Sequence, residues 1–127
     1  MVQDDLCALI AANGHGVVGT NIFSYQVESP DDIVVVRVYD NQPGEFERED
    51  GFTPDEKVFA QLLVRGRNDE TAETKARAIH DLLHFERTTL AGKCYHYSLA
   101  LQRPVPLKRD DKNRAYYVFN LELLKEA

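Results

Sequence analysis

Apolar and polar positions change period once, sharply, between Lys57 and His84. Val58, Ala60, Leu62 and Val64 alternate with Phe59, Gln61, Leu63 and Arg65, which predicts a strand with one face wetter than the other. Gly66 breaks the alternation. Beyond it Ala72, Ala76, Ile79 and Leu83 recur at spacings of four, three and four, with Leu82 on the flank, and mark the buried stripe of a helix. Asn68 and Asp69 are N-cap types, and Asp69, Glu70 and Glu73 put negative charge where the helix dipole favours it. Glu73 and Arg77 form an i,i+4 pair on the outer side. A strand followed by a helix that must cover it is the seed of a helix-on-sheet domain.

The rest of the chain supplies further elements. Val2, Leu6, Leu9 and Ile10 repeat at helical spacing behind Asp4 and Asp5, predicting a helix over Val2 to Asn13 that ends at Asn13 and Gly14. Gly14 to Thr20 reads as a glycine-punctuated turn, Ile22 to Val27 as a short strand, and Glu28 to Asp32, with Pro30 inside it, as a turn. Ile33 to Tyr39 is nearly all Val, Ile and Tyr. Its run Ile33, Val34, Val35, Val36 implies a strand buried on both faces, by this chain or by a partner subunit. Asp40 to Glu56 is polar and aperiodic, with two prolines and two glycines. It is expected to be a long loop, either a solvated hairpin extension or a partner-contacting arm. Thr88 to Leu90 and Cys94 to Leu101 read as strands around an Ala91–Gly92 turn. In the second of them Tyr95, Tyr97, Leu99 and Leu101 face one way, and His96, Ser98, Ala100 and Gln102 the other. Arg103 to Arg114 is a second long connection. Tyr116 to Leu123 is a closing strand with Tyr117, Phe119, Leu121 and Leu123 on one face. The order predicts a single α+β domain over 1–127. Its sheet is mostly antiparallel, of four to six strands, with two helices packed on one face. A right-handed parallel crossover through the central helix would make the sheet mixed.

Composition narrows what such a domain does. At 127 residues and 43% apolar, the chain can bury a core without staples. Fifteen basic residues against 21 acidic ones leave a net charge of −6. That argues against sequence-independent nucleic-acid binding, yet suits a wall past which DNA slides. Cys7 and Cys94 fall in different elements and read as separate reduced thiols. No apolar run approaches a membrane span, and Asp4 and Asp5 occupy the place of a signal peptide's basic region, so the chain is expected to be made in the cytosol. Charge is also uneven. Asp40 to Glu56 holds seven acids and one Arg, net −6, and Arg103 to Arg114 five bases and two acids, net +3. Two loops of opposite sign suggest complementary contacts between copies.

Catalytic chemistry finds little purchase. Gly14-His15-Gly16-Val17-Val18-Gly19 fits G-x-G-x-x-G, but a helix precedes it and extended chain follows, the reverse of the order a dinucleotide site needs. His80 and His84 have metal-ligand spacing on the central helix, and Cys94 or His96 could add a third ligand. Asp81, however, stands where a metalloprotease helix carries its Glu, and imidazoles near a helix C-terminus need no metal to explain them. Glu45, Glu47, Glu49 and Asp50 lie side by side in a polar loop with no apolar pocket to raise a carboxyl pKa, and read as solvated charge. No nucleophile elbow or phosphate loop is present. The residues predict no enzyme and no cofactor.

Several pieces, in order, carry a likeness. They are Asn13-Gly14-x-Gly16-x-Val18-Gly19-Thr20 with Ile22-Phe23, then Ser29-Pro30-Asp31, then Gln61-x-x-Val64-Arg65-Gly66-Arg67. Ala78-Ile79-His80-Asp81-Leu82-Leu83-His84 and Leu107-x-Arg109-Asp110 complete the series. Over nearly its full length the chain resembles the minor capsid and tail-terminator (tail completion) proteins of long-tailed bacteriophages. The resemblance implies a small α/β structural protein of the virion, made in a bacterial host. It implies a homo-oligomeric ring, a hexamer, that caps the tail tube, stops its polymerisation and offers a surface to the head. Its partners would be the tail tube protein and a head-completion or connector protein, with DNA passing through unbound and no membrane involved. A neck protein on the head side of the same joint is the alternative, and a small metal- or nucleotide-binding enzyme a more distant one. Arg65, Arg67 and Arg109 lie in the matching pieces. With Lys108 and the acidic Glu45, Glu47, Glu49 and Asp50 they are the expected subunit or partner contacts. The resemblance also implies a shorter, Gly/Pro-rich connection where this chain carries Glu45 to Asp50.

Overall fold

A computed structural model describes residues 2–43 and 55–126. Its elements are α1 (Val2–Ala12), β1 (Ile22–Phe23), β2 (Ile33–Pro43), β3 (Asp55–Gly66), α2 (Asp69–Leu82), β4 (Phe85–Leu90), β5 (Lys93–Ala100), β6 (Val105–Leu107) and β7 (Ala115–Glu126). The strands form one seven-stranded sheet in the order β1-β2-β3-β7-β5-β4, with β6 paired to β7 beyond the end of β5. Every pairing is antiparallel except β1 with β2, so the fold is the expected α+β layer.

The core lies on one face. Val58, Ala60, Leu62 and Val64 of β3 stand opposite Leu123, Leu121, Phe119 and Tyr117 of β7, all buried. Leu6 and Ile10 of α1 and Ala72, Ala76 and Ile79 of α2 close over them in a single cluster, so both helices share that face. The Asn68 side chain caps α2 by accepting from the Thr71 N–H at 2.8 Å. Gly66 lets the chain pack closely just before it: a Cβ there would stand 3.1 Å from the Ala72 side chain and 3.2 Å from its backbone nitrogen, tighter than ordinary contact.

Four expectations are corrected. First, α2 does not make a parallel crossover. Three antiparallel pairings separate β3 from β4 (through β7 and β5), so β4 runs opposite to β3. The 14 residues of α2 return the chain about 21 Å, to where Phe85 pairs with Ser98, and β4 continues in the direction of the helix. The parallel pair is instead β1 with β2. Second, β5 does not alternate cleanly. Tyr95 pairs with Lys125 but Tyr97 with Leu124, and this bulge turns Tyr95 onto the helix face with Ser98 and Ala100, leaving Tyr97 and Leu99 on the other. Third, the described residues form seven strands, because β6 lies inside the long Arg103–Arg114 connection, where Pro104 and Pro106 hide a three-residue edge strand. Fourth, the β2–β3 hairpin reaches further into the expected loop, pairing Asp40 to Pro43 with Glu56 to Phe59 past a bulge at Tyr39. Glu45, Glu47, Glu49 and Asp50 lie outside the described residues.

Candidate functional site

The face of the sheet away from the helices is unevenly covered. At the end where β3 finishes and β7 begins, the connection 24–32 crosses it and carries the chain from β1 back to the start of β2. A segment crossing a sheet has no ladder to join, so its carbonyls need other donors. Two arginines supply them. Arg65, on β3, donates from Nε to the Asp31 carbonyl (3.0 Å) and from Nη2 to those of Glu28 (3.0 Å) and Pro30 (2.7 Å). Arg114, just before β7, donates from Nη1 to the same Glu28 carbonyl at 2.6 Å and from Nε to Asp110 Oδ2 at 2.8 Å.

Asp110 organises the second arginine. Its Oδ1 accepts from the backbone N–H of Arg114 (2.9 Å) and of Lys112 (3.1 Å), and its Oδ2 also accepts from the Tyr116 hydroxyl (2.8 Å). Desolvation alone would raise the Asp110 pKa. The hydrogen bonds from the Arg114 backbone, Tyr116 and the Arg114 side chain outweigh it and hold the carboxyl well below its usual range. Desolvation likewise works against the Arg114 charge, but Asp110 more than offsets it and the Arg114 pKa is raised. Lys112 closes the outside of the clamp on Glu28 at 2.7 Å, and the Glu28 carboxyl pKa is lowered, first by that hydrogen bond.

The expected contact residues therefore sit in different settings. Arg65 is 1% exposed, so what it can present to a neighbour is the turn it holds. Arg67 is exposed, 3.9 Å from Asp32. Arg109 is bound to Asp69 at the start of α2 and donates to the Asn113 carbonyl. Lys108 is exposed and makes no ion pair among the described residues. Much of the positive charge of the Arg103–Arg114 connection is thus neutralised within the protomer. Arg114 and Asp110 as a clamp were missed. The available signal was Arg65 itself, a charged residue in register with the alternation of a strand the rest of the pattern buries.

The other candidate groups have local partners. His80 packs its ring edge-on against Phe119 (5.3 Å between centroids) and meets Asp81 at 3.1 Å. His84 Nδ1 accepts from the Ala100 N–H at 3.2 Å, and His96 pairs with Asp55 at 2.9 Å. Among the described residues no three His, Cys, Asp or Glu side chains gather as a metal site. In the glycine turn, Val17 O accepts from the N–H groups of Thr20, Asn21 and Ile22, and Gly16 packs where a Cβ would fall 2.6 Å from Asn21 Oδ1. Cys7 and Cys94 are free thiols, and burial, with Asp4 nearby, pushes the Cys7 pKa up to about 11. No helix among the described residues is long and apolar enough to cross a membrane.

Beyond the clamp the same sheet face is bare along β5 and β6. Leu99, Leu101, Val105 and Leu107 are 41–47% exposed. They form one column, because Leu99 pairs with Glu122, Leu101 N donates to Asn120 O, Val105 pairs with Val118 and Leu107 with Tyr116. Every second residue of β7 from Tyr116 to Glu122 is thereby met, which places the four side chains on one side.

The fold, a sheet backed by two helices, is shared with a solved chain. That chain, in a structure described as "Virion of native gene transfer agent (GTA) particle", matches with a TM-score of 0.71 at 14% identity, covering 99% of this chain and 95% of that one. The family follows from the sequence: the model for bacteriophage tail terminator protein matches residues 9–126. The chain belongs to that family, and is a structural protein of the tail end of a phage virion. A comparison with curated proteins finds no match.

Proposed function

We propose that this chain closes into a ring, six copies round, on the end of the tail tube, where it stops tube polymerisation and offers the head its docking surface. The match of residues 9–126 to the tail terminator family carries this reading. Such a ring needs a heterologous contact, one patch meeting a different patch on the next copy. The chain has the means to steer it: the acidic Glu45, Glu47, Glu49 and Asp50 on one connection, and Arg67, Lys108 and Arg109 at the surface of others. Arg65 contributes by fixing the Glu28–Asp31 turn. An acidic excess facing the lumen lets DNA pass without adhering. The partners are the tail tube protein below and a head-completion or connector protein above, and no bond is made or broken.

Electron microscopy of the purified protein, alone and mixed with tail tubes at low salt, tests the reading, with light scattering across a wide concentration range. Free rings, or caps confined to tube ends, are expected. Monomer at every concentration together with bare tube ends overturns the reading. Attachment to the portal side of heads without attachment to tubes reassigns the chain to the neck.

A further inference from the structure

Between α2 and the β5–β6 link lies an open cleft of about 350 Å³, lined by Arg77, His80, Asp81, Arg103 and Pro104. Both of its walls are held in place. Arg77 and His80 stand three residues apart on one flank of α2, either side of the buried Ile79. The His80 ring rests edge-on against buried Phe119, and its Nδ1 meets Asp81 Oδ1 at 3.1 Å. With that carboxylate as acceptor, Nδ1 carries the hydrogen. The other ring nitrogen, Nε2, has no partner among the described residues, on a side chain 20% exposed. On the opposite wall, Gln102 Oε1 accepts from the Asn120 N–H at 3.1 Å, and Val105 pairs with Val118. Arg103 is thus held between two residues pinned to β7, with Pro104 restricting the chain just after it. It makes no ion pair among the described residues.

Two guanidinium groups and an oriented imidazole therefore line one space. Glu73 takes part of the Arg77 charge at 2.7 Å, and Asp81, 82% exposed, is engaged by Nδ1. What remains is Arg103, the N–H groups of Arg77 that Glu73 leaves, and Nε2 of a protonated His80. That is a donor set for an oxyanion, since a planar guanidinium fork matches the two oxygens of a carboxylate.

From this geometry we infer that the Arg77–His80–Arg103 cleft takes a carboxylate side chain, Asp or Glu, of a second copy of this chain. Its volume suits a side chain with its adjoining backbone better than a bare ion. Charge favours a copy of this chain over nucleic acid. With 21 acidic residues against 15 basic ones, every neighbour carries carboxylates in excess. A phosphate backbone would approach a molecule of net charge −6. The inference rests on the ring reading for the identity of the neighbour, and goes beyond it in naming what the neighbour inserts.

Two arms test it. The first titrates the wild-type chain with a tetraglutamate peptide and, separately, with inorganic phosphate, following the His80 ring nitrogens and Arg103 Nε by NMR. Where the chain is monomeric, the peptide is expected to give saturable shifts at both residues, and phosphate to bind at least tenfold more weakly. Where rings have formed, the peptide is expected to compete and dissociate them. The second arm is Arg77→Ala with Arg103→Ala. Both side chains are exposed, so the thermal melt is expected to stay nearly unchanged while the ring fraction falls at least tenfold. Arg103→Lys alone is expected to keep more of the rings than Arg103→Ala. A peptide that neither saturates nor dissociates rings overturns the site, and saturation by phosphate without saturation by the peptide overturns the carboxylate occupant. Wild-type ring levels in the double alanine variant overturn the second copy as its source while the ring reading stands. Absence of rings and tube caps in the wild type overturns the ring reading and the neighbour with it, and the peptide titration then judges the cleft by itself.

Discussion

The two faces of the sheet are held by different physics. On the helix side Val58, Ala60, Leu62 and Val64 meet Leu123, Leu121, Phe119 and Tyr117 under two helices, and burial of apolar surface does the work. On the other side a crossing strap is held by Arg65 and Arg114 on the carbonyls of Glu28, Pro30 and Asp31. An apolar face tolerates repacking, because any shape of the right volume restores much of the stability. A carbonyl clamp is directional, and its loss leaves acceptors without donors.

The comparison breaks first at the core. Phe119→Ala removes a fully buried ring and is expected to cost about 3–5 kcal/mol, read as a lower urea midpoint at unchanged slope. Arg65→Met comes next. It keeps the aliphatic bulk but strips the Asp31 and Pro30 carbonyls of their donor and leaves Glu28 O to Arg114 alone, for about 2–4 kcal/mol. Arg65→Lys is expected to recover only part of this, since an ammonium cannot match a planar fork. If Arg65→Met is as stable as wild type, the strap is held by something other than the arginine.

That difference also explains what could be read beforehand. Periodicity reports burial, so β3, α2, β7 and the helix-side core were legible from the spacing of Val58 to Val64 and Tyr117 to Leu123. Tyr95 was assigned to the wrong side because a bulge adds one residue and reverses all alternation beyond it. Arg65 and Arg114 carry the same letters as surface arginines, and nothing in spacing tells a guanidinium aimed at a carbonyl from one aimed at water. The matching family pieces nevertheless fell on the clamp: Pro30-Asp31, Arg65 and Asp110 all belong to it. Leu99 and Leu101 were correctly placed together. Val105 and Leu107 could not be added to them, since two prolines disguised β6.

Acid sharpens the clamp half of the comparison. The Asp110 carboxyl pKa is held below its ordinary value in the folded chain. Between the folded value and the unfolded one of about 3.9, the unfolded state binds a proton that the folded state does not, so stability rises with pH there. The contribution is complete above the unfolded pKa and is lost as pH falls toward the folded one. Asp110→Asn is therefore expected to sit below wild type by a constant margin from pH 7 to 5, and to approach it as pH drops below 4. Glu28, with a lowered pKa of its own, adds to the same acid limb. Urea melts of both proteins at pH 7, 5, 3.5 and 2.5 check this, and a margin that does not narrow in acid removes Asp110 from the clamp's energetics.

The smallest effect completes the contrast, because it concerns the same residue type in the opposite setting. Arg77 on α2 pairs with Glu73 at 2.7 Å, one turn away, and its side chain is 70% exposed. Its charge stays in water whether or not the pair forms, and holding two long side chains in one geometry offsets much of the attraction. Arg77→Ala is expected to cost about 0.3–0.5 kcal/mol at low salt and still less at high salt, where exposed charges are screened. Arg65→Met, facing carbonyls across no solvent, is expected to keep its full cost at both. Paired melts at low and high salt therefore separate the two arginines by salt response as well as by size. An Arg77 loss that rivals the Arg65 loss would mean that burial against backbone carbonyls does not decide what a guanidinium contributes in this fold.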